Sequence, residues 1–240
     1  AIQNLINIES DDKIKAYINV TDLKDQEYIE NNFVVMVTKK GVIKKTSLEA
    51  YSRPRTNGIN AITVRDGDTL LEAKLTDGND DILMALRSGK AIRFPEEKVR
   101  PMGRNASGVR GITLGHEGDE LVGMVTVKEG EASILVVSEK GYGKRSALED
   151  YRITNRGGKG VKTISVTEKT GNLVAIKNVA DSDGLMIINK SGIAIRMAVE
   201  DLRVMGRATQ GVRLIKVRDD DSIAAVAKVM HEEEENEIIN

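Results

Sequence analysis

The chain repeats itself about every fifty residues, and that restricts its architecture more than any other feature. Four segments share one pattern of an apolar run, a polar pair and a glycine: residues 34–41, 82–89, 134–141 and 185–192. The closing glycines are Gly41, Gly89, Gly141 and Gly192, at steps of 48, 52 and 51 residues. A second glycine follows each of them, Gly58, Gly108, Gly160 and Gly211, at offsets of 17, 19, 19 and 19. Self-similarity at such a period is the mark of stacked supersecondary units, each burying its faces against its neighbours.

Each repeat reads as four short strands. The apolar runs at residues 34–37, 82–86, 134–137 and 185–188 suit strands covered on both faces. The polar pair and glycine after each run suit a hairpin turn, because glycine accepts positive φ. Second strands follow at residues 42–45, 91–94, 142–145 and 193–197. Next comes one turn of helix-like sequence, too short for the crossover of a βαβ unit. Alternating third strands are expected at residues 59–64, 161–166 and 212–217, and fourth strands at 69–75, 120–127, 172–179 and 222–229. Four strands per fifty residues is the content of a propeller blade, so the expected class is all-β with radially stacked sheets.

The repeat frame divides the chain into blades at residues 30–78, 79–130, 131–181 and 182–230, and an acidic tail at 231–240. Residues 1–29 read as part of a preceding blade, with 2–8 and 13–20 standing for its third and fourth strands. The expectation is therefore about four complete blades cut from a longer array.

Basic residues recur at fixed points of the repeat. Four residues past the first glycine stand Lys45, Arg93, Arg145 and Arg196, with Lys44 and Lys144 beside two of them. Eleven past it stand Arg100, Arg152 and Arg203. The loop before the second glycine carries Arg53 and Arg55, Arg104, Arg156 with Lys159, and Arg207. Two residues past the second glycine come Arg110, Lys162 and Arg213, with Asn60 in the first repeat. A cation at one phase of every blade makes a basic belt. The overall charge hides it: Lys and Arg total 36 and Asp and Glu 37, but five of the acids (Glu232, Glu233, Glu234, Glu235 and Glu237) crowd the terminus.

A belt of this kind fits a long polyanion. Duplex DNA presents one charge per about 1.7 Å of axis, and roughly eight phosphate contacts would give a salt slope of about −7. Bending a 20–30 bp segment costs about 1–6 kcal/mol, which distributed phosphate contacts offset. Single strands fit less well, because 5 Tyr, 2 Phe and no Trp supply few stacking platforms. Tyr51 and Tyr151 align with Val99 and Leu202, which assigns them to packing rather than chemistry. The stretch Arg156-Gly157-Gly158-Lys159-Gly160 reads either as a phosphate cradle or as a flexible loop.

Other classes find little support. With 0 Cys there is no disulfide, thiolate metal site or Cys nucleophile, which fits a reducing cytoplasm. The 2 His, His116 and His231, lie far apart, so neither a metal site nor a propeller hydrolase is supplied, and no metal is expected. Apolar runs are too short to span a membrane, and no secretory signal opens the sequence. A protein-interaction propeller would call for exposed aromatic loops or a Trp-Asp signature.

Several stretches carry a resemblance to a known family. They are Lys44-Lys45-Thr46; Arg53-x-Arg55-Thr56 before Gly58; Val99-Arg100-x-Met102-Gly103 with Gly108-Val109-Arg110-Gly111; Gly141-Tyr142-Gly143-Lys144-Arg145; and Val204-x-Gly206-Arg207-x-Thr209-Gln210-Gly211-Val212. Together they resemble the C-terminal domain of bacterial DNA gyrase A. The resemblance implies a β-pinwheel, a propeller-like fold whose strands are exchanged between blades, with duplex DNA wrapped on its basic rim. It implies two blades upstream that hold the family heptad Q-R-R-G-G-K-G, of which Thr154-Asn155-Arg156-Gly157-Gly158-Lys159-Gly160 is a degenerate copy. It further implies a parent type II topoisomerase in the bacterial cytoplasm, at the nucleoid. That parent pairs gyrase A with gyrase B in a heterotetramer, uses ATP and Mg, and keeps its catalytic residues outside this chain. The corresponding domain of topoisomerase IV is the alternative within the same resemblance.

Overall fold

The computed structural model describes residues 12–128 and 133–230. Among these residues one short helix, α1 (Gln26–Asn31), precedes fifteen strands. Its first turn is capped by the Asp25 carboxylate, which accepts from Tyr28 N. The first repeat supplies β1 (Phe33–Thr38), β2 (Val42–Ser47) and β3 (Leu70–Thr76). The second supplies β4 (Asp81–Leu86), β5 (Lys90–Pro95), β6 (Val109–Arg110) and β7 (Leu121–Val127). The third supplies β8 (Ser133–Ser138), β9 (Tyr142–Ser146), β10 (Val161–Lys162) and β11 (Leu173–Val179). The fourth supplies β12 (Asp183–Asn189), β13 (Ala194–Ala198), β14 (Val212–Arg213) and β15 (Ile223–Met230).

These form four antiparallel sheets in the orders β3-β1-β2-β6, β7-β4-β5-β10, β11-β8-β9-β14 and β15-β12-β13. Each of the first three sheets ends on a strand from the next repeat: β6 on β2, β10 on β5, β14 on β9. That exchange is the β-pinwheel arrangement. The fourth strands β3, β7, β11 and β15 touch one another in series and so line the hub. The exchanged strands, at the opposite edge of each sheet, lie at the rim.

The sequence pattern misjudged the third strand. It pairs over two residues rather than six, and it completes the preceding sheet rather than its own. Residues 59–64, expected as the first such strand, form no strand, and neither do the described residues of 13–20. Residues 2–8 and the acidic tail 231–240 lie outside the described residues. The other strands fall where the apolar runs predict, and the helix-like segments are single 3-10 turns at Leu48–Tyr51, Glu96–Lys98 and Leu148–Asp150, whereas the fourth, at residues 199–202, forms a turn and no helix.

Both repeat glycines serve the exchange. Gly41, Gly89 and Gly141 have φ of 77°, 82° and 79°, and a Cβ there would meet the carbonyl of Ile112, Ile164 or Ile215 in the next repeat at 2.9, 2.8 or 2.3 Å. Their own carbonyls accept two N–H groups each from that incoming segment, Gly41 from Gly111 and Ile112 for example. Gly108, Gly160 and Gly211 approach equally closely from the other side, with a Cβ 2.5, 2.5 and 2.4 Å from the carbonyls of Ile43, Ala91 and Gly143. Backbone runs against backbone at these points, and only glycine fits.

The core lies between blades. Val35, Val37 and Ile43 pack with Met84, Phe94 and Val99. Leu83 and Val125 pack with Ile134, Leu148 and Tyr151. Leu135 and Val137 pack with Leu185, Val199 and Leu202. Tyr151 is 1% exposed, which bears out its assignment to packing. At about 25 cal/mol per Å² of apolar surface removed from water, these seams are what hold one sheet to the next.

Candidate nucleic-acid interface

The rim begins with the exchanged strands. Arg110 stands opposite Val42, Lys162 opposite Lys90, and Arg213 opposite Tyr142, each on the outermost strand of its sheet and each exposed. Arg213 also donates from Nη2 to the Tyr142 hydroxyl at 2.9 Å and lies 5.4 Å from that ring centre.

A second set of cations is bound to this edge. Arg104 donates from Nη1 to the Asn60 carbonyl at 3.4 Å, Arg156 to the Arg110 carbonyl at 3.1 Å, and Arg207 to the Lys162 carbonyl at 2.7 Å. In every case the acceptor is the residue two past the second glycine of the preceding repeat. Arg156 and Arg207 add an Nε bond to the carbonyls of Lys98 and Asp150, at 3.0 and 2.9 Å. Main-chain carbonyls orient these guanidinium groups but do not neutralise them. Among the described residues none of the three is within ion-pair distance of a carboxylate. The rim therefore alternates loop arginine and strand cation along consecutive blades.

Arg53, Arg55, Arg100, Arg152, Arg203 and Lys159 are also exposed. Arg53 and Arg55 share one concave surface with Arg104. Arg152 and Lys159 line a cavity of about 220 Å³ with Thr154 and Asn155. Arg196 is exposed on β13. Arg65, which the repeat pattern did not single out, donates to the Gly108 carbonyl at 3.2 Å and so joins the rim. Its only sequence signal is a phase shared with Arg218, seven past the second glycine.

Five of the expected contact residues are turned inward, and their assignment to the DNA-facing set is corrected. Lys44, Lys45, Arg93, Lys144 and Arg145 are between 0% and 8% exposed. Lys45 pairs with Glu96 at 3.5 Å and also donates to its carbonyl at 3.2 Å. Arg93 pairs with Asp81 at 2.6 Å and donates to the Leu148 carbonyl at 2.9 Å in the next blade. Arg145 repeats this with Asp181 and the Leu202 carbonyl. The backbone carbonyls of the same three residues accept from Met102, Thr154 and Met205 at 2.8, 2.9 and 2.8 Å. In the first three repeats this phase is a blade-to-blade latch, built from cations because carbonyls need donors.

Lys44 and Lys144 donate to the carbonyls of Arg104 and Gly206, both at 2.5 Å. Burial pushes both ammonium groups down to about 8, with Arg104 pressing Lys44 further. For Lys144, Asp150 opposes the burial while Arg207 adds to it.

In the heptad-like stretch, part of the backbone is already paired with the preceding blade. Gly157 N is spent on the Gly111 carbonyl at 2.6 Å, and the Gly158 carbonyl accepts from Thr113 N at 2.9 Å. The loop is stitched to the preceding blade, and its side chains Arg156 and Lys159 face out.

The described residues thus define a strand-exchanged repeat protein with a cationic rim, and group no three acidic, His or Cys side chains as a metal site. The chain belongs to the DNA gyrase C-terminal domain, beta-propeller family, whose profile matches residues 32–77, 80–128, 132–180 and 185–230. It is 47% identical over 238 residues to the DNA gyrase A protein of Staphylococcus aureus strain MRSA252, covering 98% of this chain and 26% of that protein. It therefore spans about a quarter of that relative's length. Among solved structures it superposes on a DNA gyrase A C-terminal domain with a TM-score of 0.82 at 26% identity, over 95% of this chain and 74% of that one. It superposes on the C-terminal domain of DNA topoisomerase IV with a TM-score of 0.86 at 26% identity, over 96% and 70%. The fold does not separate the two relatives; the sequence identity favours gyrase A. No helix among the described residues is long and apolar enough to cross a membrane.

Proposed function

We propose that this chain is the DNA-wrapping module of a gyrase A protein. It binds duplex DNA along its rim and bends it, so that the parent enzyme passes strands with one handedness and introduces negative supercoils. The alternation of Arg104, Arg156 and Arg207 with Arg110, Lys162 and Arg213 carries this reading: six cations along the outer edges of three successive sheets, with the loop arginines held by main-chain carbonyls rather than acids. Such a track suits phosphates that follow a curve, and binding through phosphates carries little sequence preference. On this reading, cleavage, ATP and Mg belong to other parts of the enzyme, including gyrase B in the heterotetramer, in the bacterial cytoplasm.

The test is duplex binding as a function of salt. The chain should bind without sequence preference and with a steep negative slope of log K against log[salt]. Replacing Arg110, Lys162 and Arg213 together by Ala should flatten that slope by about 2–3. Salt-independent binding, or an unchanged slope in the triple variant, would reject the assignment.

A further inference from the structure

Two of the three rim loops rest on a buried lysine and the third does not. The position three past the first glycine is Lys44 in the first blade and Lys144 in the third, but Ile92 in the second and Ile195 in the fourth. Its neighbours alternate in step. Thr46 with Tyr51, and Ser146 with Tyr151, accompany the lysines; Phe94 with Val99 accompanies Ile92. The chain thus demonstrates that an apolar set fills this space. A buried ammonium is costly compared with an isoleucine, so the lysines are there for something other than stability.

Their bonds show what they hold. Lys44 donates to the carbonyls of Ala61 and Arg104, and Tyr51 also donates to Ala61, at 3.1 Å. Lys144 donates to the Gly206 carbonyl, beside Arg207. Over Ile92, the Gly111 carbonyl, equivalent to Ala61, takes its hydrogen bond directly from the loop, at Gly157 N. At the first junction a lysine bridge replaces that direct stitch. All three loops share two backbone bonds to the preceding blade. One runs from Met102, Thr154 and Met205 N to the carbonyls of Lys45, Arg93 and Arg145, the other from Thr63, Thr113 and Ser165 N to those of Ala106, Gly158 and Thr209. The loops that carry Arg104 and Arg207 add an ammonium, and the loop that carries Arg156 adds Gly157 N.

We propose that Lys44 and Lys144 are positioning residues of the rim, each clamping the loop above it so that Arg104 and Arg207 are presented to phosphate. This rests on the DNA-binding reading, and the clamp itself is a property of the free protein. The clamp is strongest in the charged form, whose three N–H donors are charge-assisted, whereas the neutral amine keeps two weaker ones. Facing Lys44 are Arg104 from the loop and Tyr51 from the 3-10 turn; facing Lys144 are Asp150 and Tyr151 from the turn and Arg207 from the loop. With both lysines held down to about 8, the clamps weaken in mildly alkaline solution, where the rim arginines stay charged.

Hydrogen exchange on the DNA-free chain tests the clamp. Lys44→Met should speed exchange of residues 102–108 about tenfold, and Lys144→Met that of residues 204–211, while residues 154–160 stay as they were. Unchanged exchange in the two clamped loops overturns the proposal, as does equal loosening of all three. Duplex affinity at constant ionic strength supplies the functional arm. It should fall from about pH 7 to about pH 9.5 in the unmodified protein and stay flat in the double variant. The same pH profile in both overturns the proposal. The pH dependence of the unmodified protein serves alone if a variant fails to fold, and a flat profile there also overturns it. Absence of any duplex binding would remove the interface reading instead, leaving exchange to decide the clamp.

Discussion

Arg207 places its guanidinium against the main-chain carbonyl of Lys162, 2.7 Å away, so that a loop of the fourth blade is tied to the outermost strand of the second blade's sheet, which the third repeat supplies. The contact puts two cations of different repeats side by side where the rim passes from one sheet to the next. Arg156 stands in the same relation to Arg110. Like charges brought together by carbonyls gain nothing from each other, and the arrangement becomes favourable when a polyanion lies over both.

Arg207→Ala should therefore leave the fold almost untouched and weaken duplex binding. The expected salt slope is shallower by about 1, with affinity lowered uniformly across sequences. Filter or fluorescence binding at several salt concentrations measures both.

The inward-facing latches should behave in the opposite way. Arg93→Met strands Asp81, whose side chain is 18% exposed, and should cost about 3–5 kcal/mol of stability. Arg145→Met frees Asp181, which is 76% exposed and returns to water, so the loss falls to the 1–3 kcal/mol or so of an unsatisfied Leu202 carbonyl. Urea unfolding of the two variants should show that order.

A pair of glycines separates conformational strain from inter-blade crowding. Gly58 and Gly160 have φ of 75° and 70°, yet a Cβ at Gly58 meets nothing within 4 Å while one at Gly160 lies 2.5 Å from the Ala91 carbonyl. Gly58→Ala should cost about 1–2 kcal/mol, the left-handed penalty alone. Gly160→Ala should cost clearly more and loosen β10 from β5, seen as faster exchange at Ala91 and Val161.

Stability should rise on the alkaline side before it falls. Lys44 and Lys144 bind their protons less tightly when folded, at about 8 against an ordinary 10.5. Between those values the unfolded chain holds more protons, so stability increases with pH. Tyr151 works the other way: burial raises it from 10.0 to about 12, so above about pH 10 the unfolded chain loses a proton that the folded chain keeps. Unfolding midpoints should peak near pH 10, and Lys144→Met should reduce the rise.

Much of the fold is legible in the sequence because its signals are local. Apolar runs ending in glycine mark β1, β4, β8 and β12, and the glycine pairs set the blade period. The third strand misleads because its alternation reports a segment packed on one side, and says nothing of which sheet it joins or how many residues pair. The helix α1 lies outside the repeat and has only the Asp25 cap as its signal. In the site, Arg110, Lys162 and Arg213 are recoverable because the second residue of each invading strand faces out. Lys45, Arg93 and Arg145 recur with equal regularity but face the next blade. Recurrence marks a repeated role without saying whether the acceptor is a phosphate or a carbonyl. Their partners Asp81, Glu96 and Asp181 occupy no shared phase of the repeat, which hides the pairing from a search by period.

Strand exchange also sets a timetable for synthesis. The sheet begun by residues 33–47 is completed only when residues 109 and 110 reach it. On the ribosome, a newly made blade thus leaves the exit tunnel with one edge open, and stays so until its successor has been translated. The order of completion is written into the topology: each of the first three sheets is finished by the repeat after it.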